Sequence, residues 1–122
     1  MDFTLTFINI FSYGIILAAP LLVFFLLAIT LIGLFVGRRE SWTVFDSIYW
    51  SFITATTVGY GDIRPLNKLS RILSVIIALL GLILTGIVVA VALHAATLAF
   101  NKVSDIEKVK TEVEKIKDLA NQ

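Results

Sequence analysis

Two stretches of this chain carry no formal charge. From Phe3 to Gly37 there is no Asp, Glu, Lys or Arg, and from Ile72 to Asn101 there is none either. Each stretch exceeds the roughly 20 apolar residues with which a helix crosses a bilayer. In a chain of 122 residues, 58% of them hydrophobic and 16% charged, little is left from which to build a separate soluble core. The expected fold class is an all-α membrane protein with two transmembrane helices in contact with the lipid bilayer. Other classes fall away on composition. A net charge of +1 with dispersed basic residues offers no nucleic-acid patch, and the absence of cysteine excludes disulfides and thiolate metal sites. The N-terminus lacks the basic start of a signal peptide, and its apolar run is longer than such a peptide needs.

Between the two runs stands Thr54-Ala55-Thr56-Thr57-Val58-Gly59-Tyr60-Gly61-Asp62. An ion leaving water needs oxygens in place of its hydration shell, and rings of backbone carbonyls can supply them. Aiming successive carbonyls one way requires φ angles that alternate in sign. Gly59 and Gly61 reach positive φ at little steric cost, whereas Val58 and Tyr60 resist it.

These nine residues resemble, without a gap, the selectivity-filter signature T-x-x-T-V-G-Y-G-D of the tetrameric potassium-channel family. The resemblance covers about residues 14–100 and is most specific over Ser41–Pro65. It implies a re-entrant pore helix and filter loop between the two spans, assembled as a homotetramer. It further implies K+ as the permeant ion, no cofactor and no catalytic residue. The ion-binding stretch would be Thr57, Val58, Gly59, Tyr60 and Gly61. The carbonyls of Thr57, Val58, Gly59 and Tyr60 and the Thr57 hydroxyl would face the axis, with the Val58 and Tyr60 side chains packed outward. Tyr49, Trp50, Thr56 and Asp62 would support the filter, Tyr49 and Trp50 as part of an aromatic cuff.

In chain order, residues 1–13 have two open readings: an amphipathic helix lying in the membrane interface, or an extension of the first span. Asp2, Thr6, Asn9 and Tyr13 share one side, and Phe3, Phe7 and Phe11 another. The pore domain is expected over 14–100. Its outer helix, 14–36, would reach about 34 Å, with Pro20 near its start, where a missing N–H costs least. The pore helix, 43–56, would begin at a Thr43–Asp46 capping box and run about 20 Å, too short to span. Trp42 reads as a membrane-interface residue. The filter occupies 57–61, and the turn at Ile63–Lys68 is fixed by Pro65.

The inner helix, 69–100, would run about 48 Å. Helical rotation gathers Leu82, Thr85, Val89, Leu93, Ala96 and Phe100 on one face, read as the wall of a cavity and gate. Gly81 is expected as a hinge, by resemblance, and Gly86 as a packing position. His94 lies off that face and reads mainly as a packing or interface residue. Residues 101–122 form a charged amphipathic helix, with Ser104 and Glu107 as a second capping box that suggests a new start. Ile106, Val109, Val113, Ile116 and Ala120 keep a 3-4-3-4 spacing. Either a four-helix bundle, a solvated helix, or the stub of a missing domain fits that pattern.

The basic residues do not decide orientation, because the loop between the spans and the tail both carry several. Both termini are placed in the cytoplasm, and the protein in a prokaryotic cell membrane, by resemblance alone. A cytoplasmic gating partner or domain is left open. No segment repeats arginine at every third position, so no voltage sensor is read. Two departures from the family pattern stand out. Ile53 occupies a position where some relatives carry a glutamate paired with the filter aspartate, so Asp62 needs another partner, Tyr49 or Trp50. Arg64 stands where relatives often have an aromatic residue. Besides a potassium-selective channel, a weakly selective cation channel and a non-conducting scaffold or regulatory subunit remain as alternatives.

Overall fold

The computed structural model describes residues 2–122 as three helices, with no strand among the described residues: α1 (Phe3–Glu40), α2 (Val44–Ala55) and α3 (Lys68–Ala120). They contribute to two compact units, one formed by Ala18–Val88 and the other by Met1–Leu17 with Val89–Gln122.

Local chemistry sets the helix ends. Asp2 caps α1, its carboxylate accepting from the Thr4 N–H at 3.3 Å. Helix α1 closes with Arg38 and Arg39 in its last turn, where cations suit the negative end of the dipole. Ser41 then takes a φ of 62°, and the Trp42 N–H returns to the Gly37 carbonyl at 2.8 Å. That is the six-to-one bond of a Schellman ending, with serine in the left-handed position usually given to glycine. Thr43 caps α2, its hydroxyl accepting from the Asp46 N–H at 3.1 Å.

The structure selects one of the two readings left open for residues 1–13 and departs from the sequence reading at Pro20 and Ser104. There is no separate N-terminal helix over 1–13: α1 runs unbroken from Phe3 because Asp2 starts it and nothing interrupts the apolar run. Pro20 therefore lies well inside the helix, where it withholds one N–H from the ladder. Helix α3 likewise continues through residues 101–122 without restarting at Ser104. Trp42 is half-buried on the core and meets Trp50 edge-on, with ring centroids 5.3 Å apart.

In the unit Ala18–Val88, α2 is clamped between the other two helices. Its small residues Ser47 and Ser51, four apart, face Gly37 and Gly33 of α1, also four apart. A Cβ on either glycine would overlap the opposing serine hydroxyl. Those buried hydroxyls donate to carbonyls one turn back, Ser47 to Thr43 at 2.8 Å and Ser51 to Ser47 at 2.6 Å, so no donor is left orphaned in the seam. Small residues at this spacing let helix backbones approach closely, as they do in membrane bundles. On the other side the Ala55 carbonyl fills the space that a side chain on Gly81 would need. Ile29, Val36, Trp50, Ala55 and Ile77 are the buried core.

In the other unit, Thr6, Ala95 and Ala99 are buried, and Gly14 lies against Val91. Phe3, Phe7 and Phe11 stack along one side of α1, with centroids 6.2 and 5.7 Å apart. Most large apolar side chains of α1 and α3, such as Phe24, Leu31, Leu79 and Leu93, stay exposed on the single chain. That outward surface belongs against lipid or other protein.

Candidate functional site: the loop that ends the re-entrant helix

Helix α2 ends in a way that shapes everything after it. The Thr56 N–H and hydroxyl both turn back to the Phe52 carbonyl, at 2.9 and 2.6 Å. The Thr57 N–H reaches Thr54, and the Gly59 N–H reaches Ile53, each at 3.1 Å. These bonds satisfy carbonyls that a helix end otherwise leaves open. They also hold the loop against the helix that precedes it.

Along the loop φ is positive at Thr57 (65°), Gly59 (52°) and Gly61 (77°), and Val58 and Tyr60 between them are not among the positive-φ residues. The sign therefore alternates over five consecutive residues. For the two glycines this is a low-cost conformation. For Thr57, β-branched, it costs about 1–3 kcal/mol and persists only because the surrounding structure holds it. No described hydrogen bond ends on the carbonyls of Thr57, Val58, Gly59 or Tyr60. Four successive oxygens are thus free to serve as ligands. Val58 and Tyr60 expose 50% and 72% of their surface on the single chain.

Behind the loop, Tyr49 donates its hydroxyl to Asp62 Oδ2 at 3.1 Å. This resolves which partner Asp62 finds in the absence of a nearby glutamate. Trp50 is buried beside it. A cavity of about 180 Å³ lies between Tyr49, Ile53, Gly59, Asp62 and Arg64. Arg64 is exposed beside Gly61.

The structure brings Tyr49, Trp50, Thr56 and Asp62 around the loop. Leu82, Thr85, Val89, Leu93 and Phe100 form an exposed stripe along α3, with Ala96 half-buried at its edge. Gly81 is pressed on Ala55, whereas a side chain at Gly86 would meet open space on the single chain. His94 is exposed and lines a groove of about 480 Å³ with Tyr13, Gly14 and Val91.

One residue that braces the site was not legible beforehand. Glu40, the last residue of α1, accepts from the Leu66 N–H through Oε2 and the Asn67 N–H through Oε1, both at 3.0 Å. These donors lie at the start of α3, where the helix dipole also favours an anion. The two backbone hydrogen bonds, helped more weakly by Ser70 and the Asn67 side chain, lower the Glu40 pKa to about 2, against a smaller upward push from desolvation. Ser70 Oγ is nevertheless outside hydrogen-bond geometry to any described atom, so the backbone pair does most of this. Glu40 is separated from Leu66 and Asn67 by 26 and 27 positions, and no local pattern announces such a pairing.

Comparison with known proteins adds the following. Residues 20–97 match the model of a family described as "Ion channel". The chain is 42% identical over 53 residues to TWiK family of potassium channels protein 7 of Caenorhabditis elegans, covering 43% of this chain and 10% of that protein. It is 40% identical over 40 residues to a voltage-gated potassium channel of Aeropyrum pernix, 33% of this chain and 14% of that one. To two-pore potassium channel 1 of Arabidopsis thaliana it is 40% identical over 50 residues, 41% of this chain and 14% of the other. The matched stretches are thus a small part of each relative. No solved structure matches.

Proposed function

Because this chain belongs to the ion-channel family, we propose that it is the pore-forming subunit of a potassium-selective channel, assembled as a homotetramer around Thr57–Gly61. The observation that carries the reading is the alternation of φ over Thr57–Gly61 together with four free carbonyls. One chain offers one wall of such oxygens, and four walls complete a ring that can replace the hydration shell of K+. The exposed Val58 and Tyr60 side chains then pack against neighbouring copies. The C-terminal end of α2, carrying partial negative charge, favours a cation before it. The Tyr49–Asp62 bond holds the outer end of the loop in place.

Leu82, Thr85, Val89, Leu93, Ala96 and Phe100 would line the cavity and gate, where an apolar constriction can stop conduction by excluding water. Both termini would be cytoplasmic, in a prokaryotic membrane. Transport is passive, with K+ the only small molecule involved. Flux from purified protein in liposomes tests this directly: potassium should pass and sodium should be excluded by at least tenfold. Replacing Tyr60 by Asp removes the aromatic support of one carbonyl ring, and reversal potentials in mixed gradients should then move toward non-selectivity. Unchanged potentials in Tyr60→Asp would sink the filter assignment; sodium flux equal to potassium in the parent would point instead to a weakly selective cation pore.

A further inference from the structure

From Ile72 to Asn101 α3 is uncharged on every side, and beyond that only one side stays apolar. Val89, Leu93 and Phe100 are exposed, while Ala95 and Ala99 on another side are buried. At about 100° per residue, the stripe Ile106, Val109, Val113 and Ile116 centres about 160° away from Val89, Leu93 and Phe100. The side in line with Leu93 and Phe100 becomes Ser104, Glu107 and Thr111, which is polar. A straight α3 therefore turns the apolar stripe of its tail away from any axis that Leu93 and Phe100 face.

The charges beside that stripe say what it fits. With Ile106 and Val113 at heptad position a and Val109 and Ile116 at d, Asp105 and Glu112 fall at g, and Lys110 and Lys117 at e. In a parallel pair of such helices, g of one chain faces e of the next heptad of the other, so Asp105 meets Lys110 and Glu112 meets Lys117. An antiparallel pair would set acid against acid and lysine against lysine. Asp105, Ile106, Val109 and Lys110 border a shallow depression on the exposed surface, a seat for a side chain of a neighbour. The stripe is built for a parallel copy of itself.

The narrowing to one apolar side coincides with Ser104-x-x-Glu107, the capping box at which a helix can restart. We infer that α3 has a hinge at residues 101–104, where it breaks and restarts with Ser104 as N-cap when the tails of the tetramer join as a parallel coiled coil. The continuous helix is the uncoiled form. The break rotates the stripe inward, and burying its four apolar side chains in every chain offsets the ladder bonds given up at the hinge. The inference rests on the tetrameric reading above, and it adds a conformational step that the pore alone does not need.

The chain has no cysteine, so single cysteines report cleanly. In full-length protein in detergent, mild oxidation should link Val109→Cys between copies and leave Thr111→Cys unlinked. Ser104→Ala should slow the Val109→Cys linkage about fivefold, the usual effect of a lost N-cap. Reversing both e lysines to Glu should suppress it, and adding Asp105→Lys with Glu112→Lys should restore it. Linkage of Thr111→Cys in place of Val109→Cys would mean a straight α3 and would overturn the hinge. Linkage of neither would overturn the coil. Light scattering on the parent separates these from failure of the assembly itself, which would give a monomer mass.

Discussion

Thr57 is the residue at which fold and proposed chemistry compete. Its φ of 65° closes α2 in the left-handed conformation that glycine ordinarily supplies, yet the residue is β-branched. Glycine would relieve the strain, but it would give up the hydroxyl and free the loop to wander. Thr57→Gly should therefore raise thermal stability by about 1 kcal/mol while reducing discrimination between K+ and Na+ in liposome flux. A variant that loses stability instead would show that Thr57 carries no strain at this angle. The positive φ at Gly59 and Gly61 was legible in the sequence because only glycine takes it readily. That at Thr57 was not: the hydrogen bonds from Thr57 and Gly59 back to Thr54 and Ile53 impose it, and they exist only once α2 has formed.

Among the elements, α2 was the easiest to read and the contacts that place it the hardest. The Thr43 cap and the glycine-bearing loop bounded it within a residue at each end, 43–56 expected against Val44–Ala55 observed. The continuity of α1 and α3 was less legible, since an apolar run with good helix formers gives no internal sign of where it should stop. The α1–α2 seam makes a direct prediction. Gly33→Ala should destabilise the protein by roughly 1–3 kcal/mol, as overpacking does, and Ser51→Gly should recover part of that loss when combined with it. Additive losses in thermal melts of the two single variants and the double would mean the residues do not share one contact. The tie between α1 and α3 makes another. Glu40 binds the Leu66 and Asn67 N–H groups as a carboxylate, so its folded pKa of about 2 lies below the ordinary carboxylate value of 4.5. Its contribution to stability is complete above about pH 4.5 and is lost as pH falls toward 2. Melting temperatures taken across that window should fall in the parent more than in Glu40→Gln, which should start lower and stay flatter.

For the molecule as a whole, the exposed apolar surface and the free loop carbonyls are what the proposed assembly would cover. In the proposed tetramer Arg64 is repeated four times around the outer mouth. A ring of guanidinium groups repels an organic cation and offers it no aromatic face. Glu40 does little to offset that ring, because its carboxylate is committed to the Leu66 and Asn67 amides. External tetraethylammonium should block poorly, less poorly at high ionic strength, where charges beyond about 8 Å are screened. Arg64→Tyr should strengthen the block with potassium selectivity intact; tight block of the parent would show that Arg64 points away from the mouth. The Glu40 staple has a consequence of another kind. It joins the two ends of the stretch from Ser41 to Leu66, so pore helix and filter form a closed insert whose exit lies beside its entrance. Such an insert can be set between another pair of helices without asking them to move apart, provided that the first ends in glutamate and carries the glycine spacing of Gly33 and Gly37, and that the second carries a glycine opposite Ala55 as Gly81 does here. The filter is in that sense a transferable cassette, and Glu40 is its clasp.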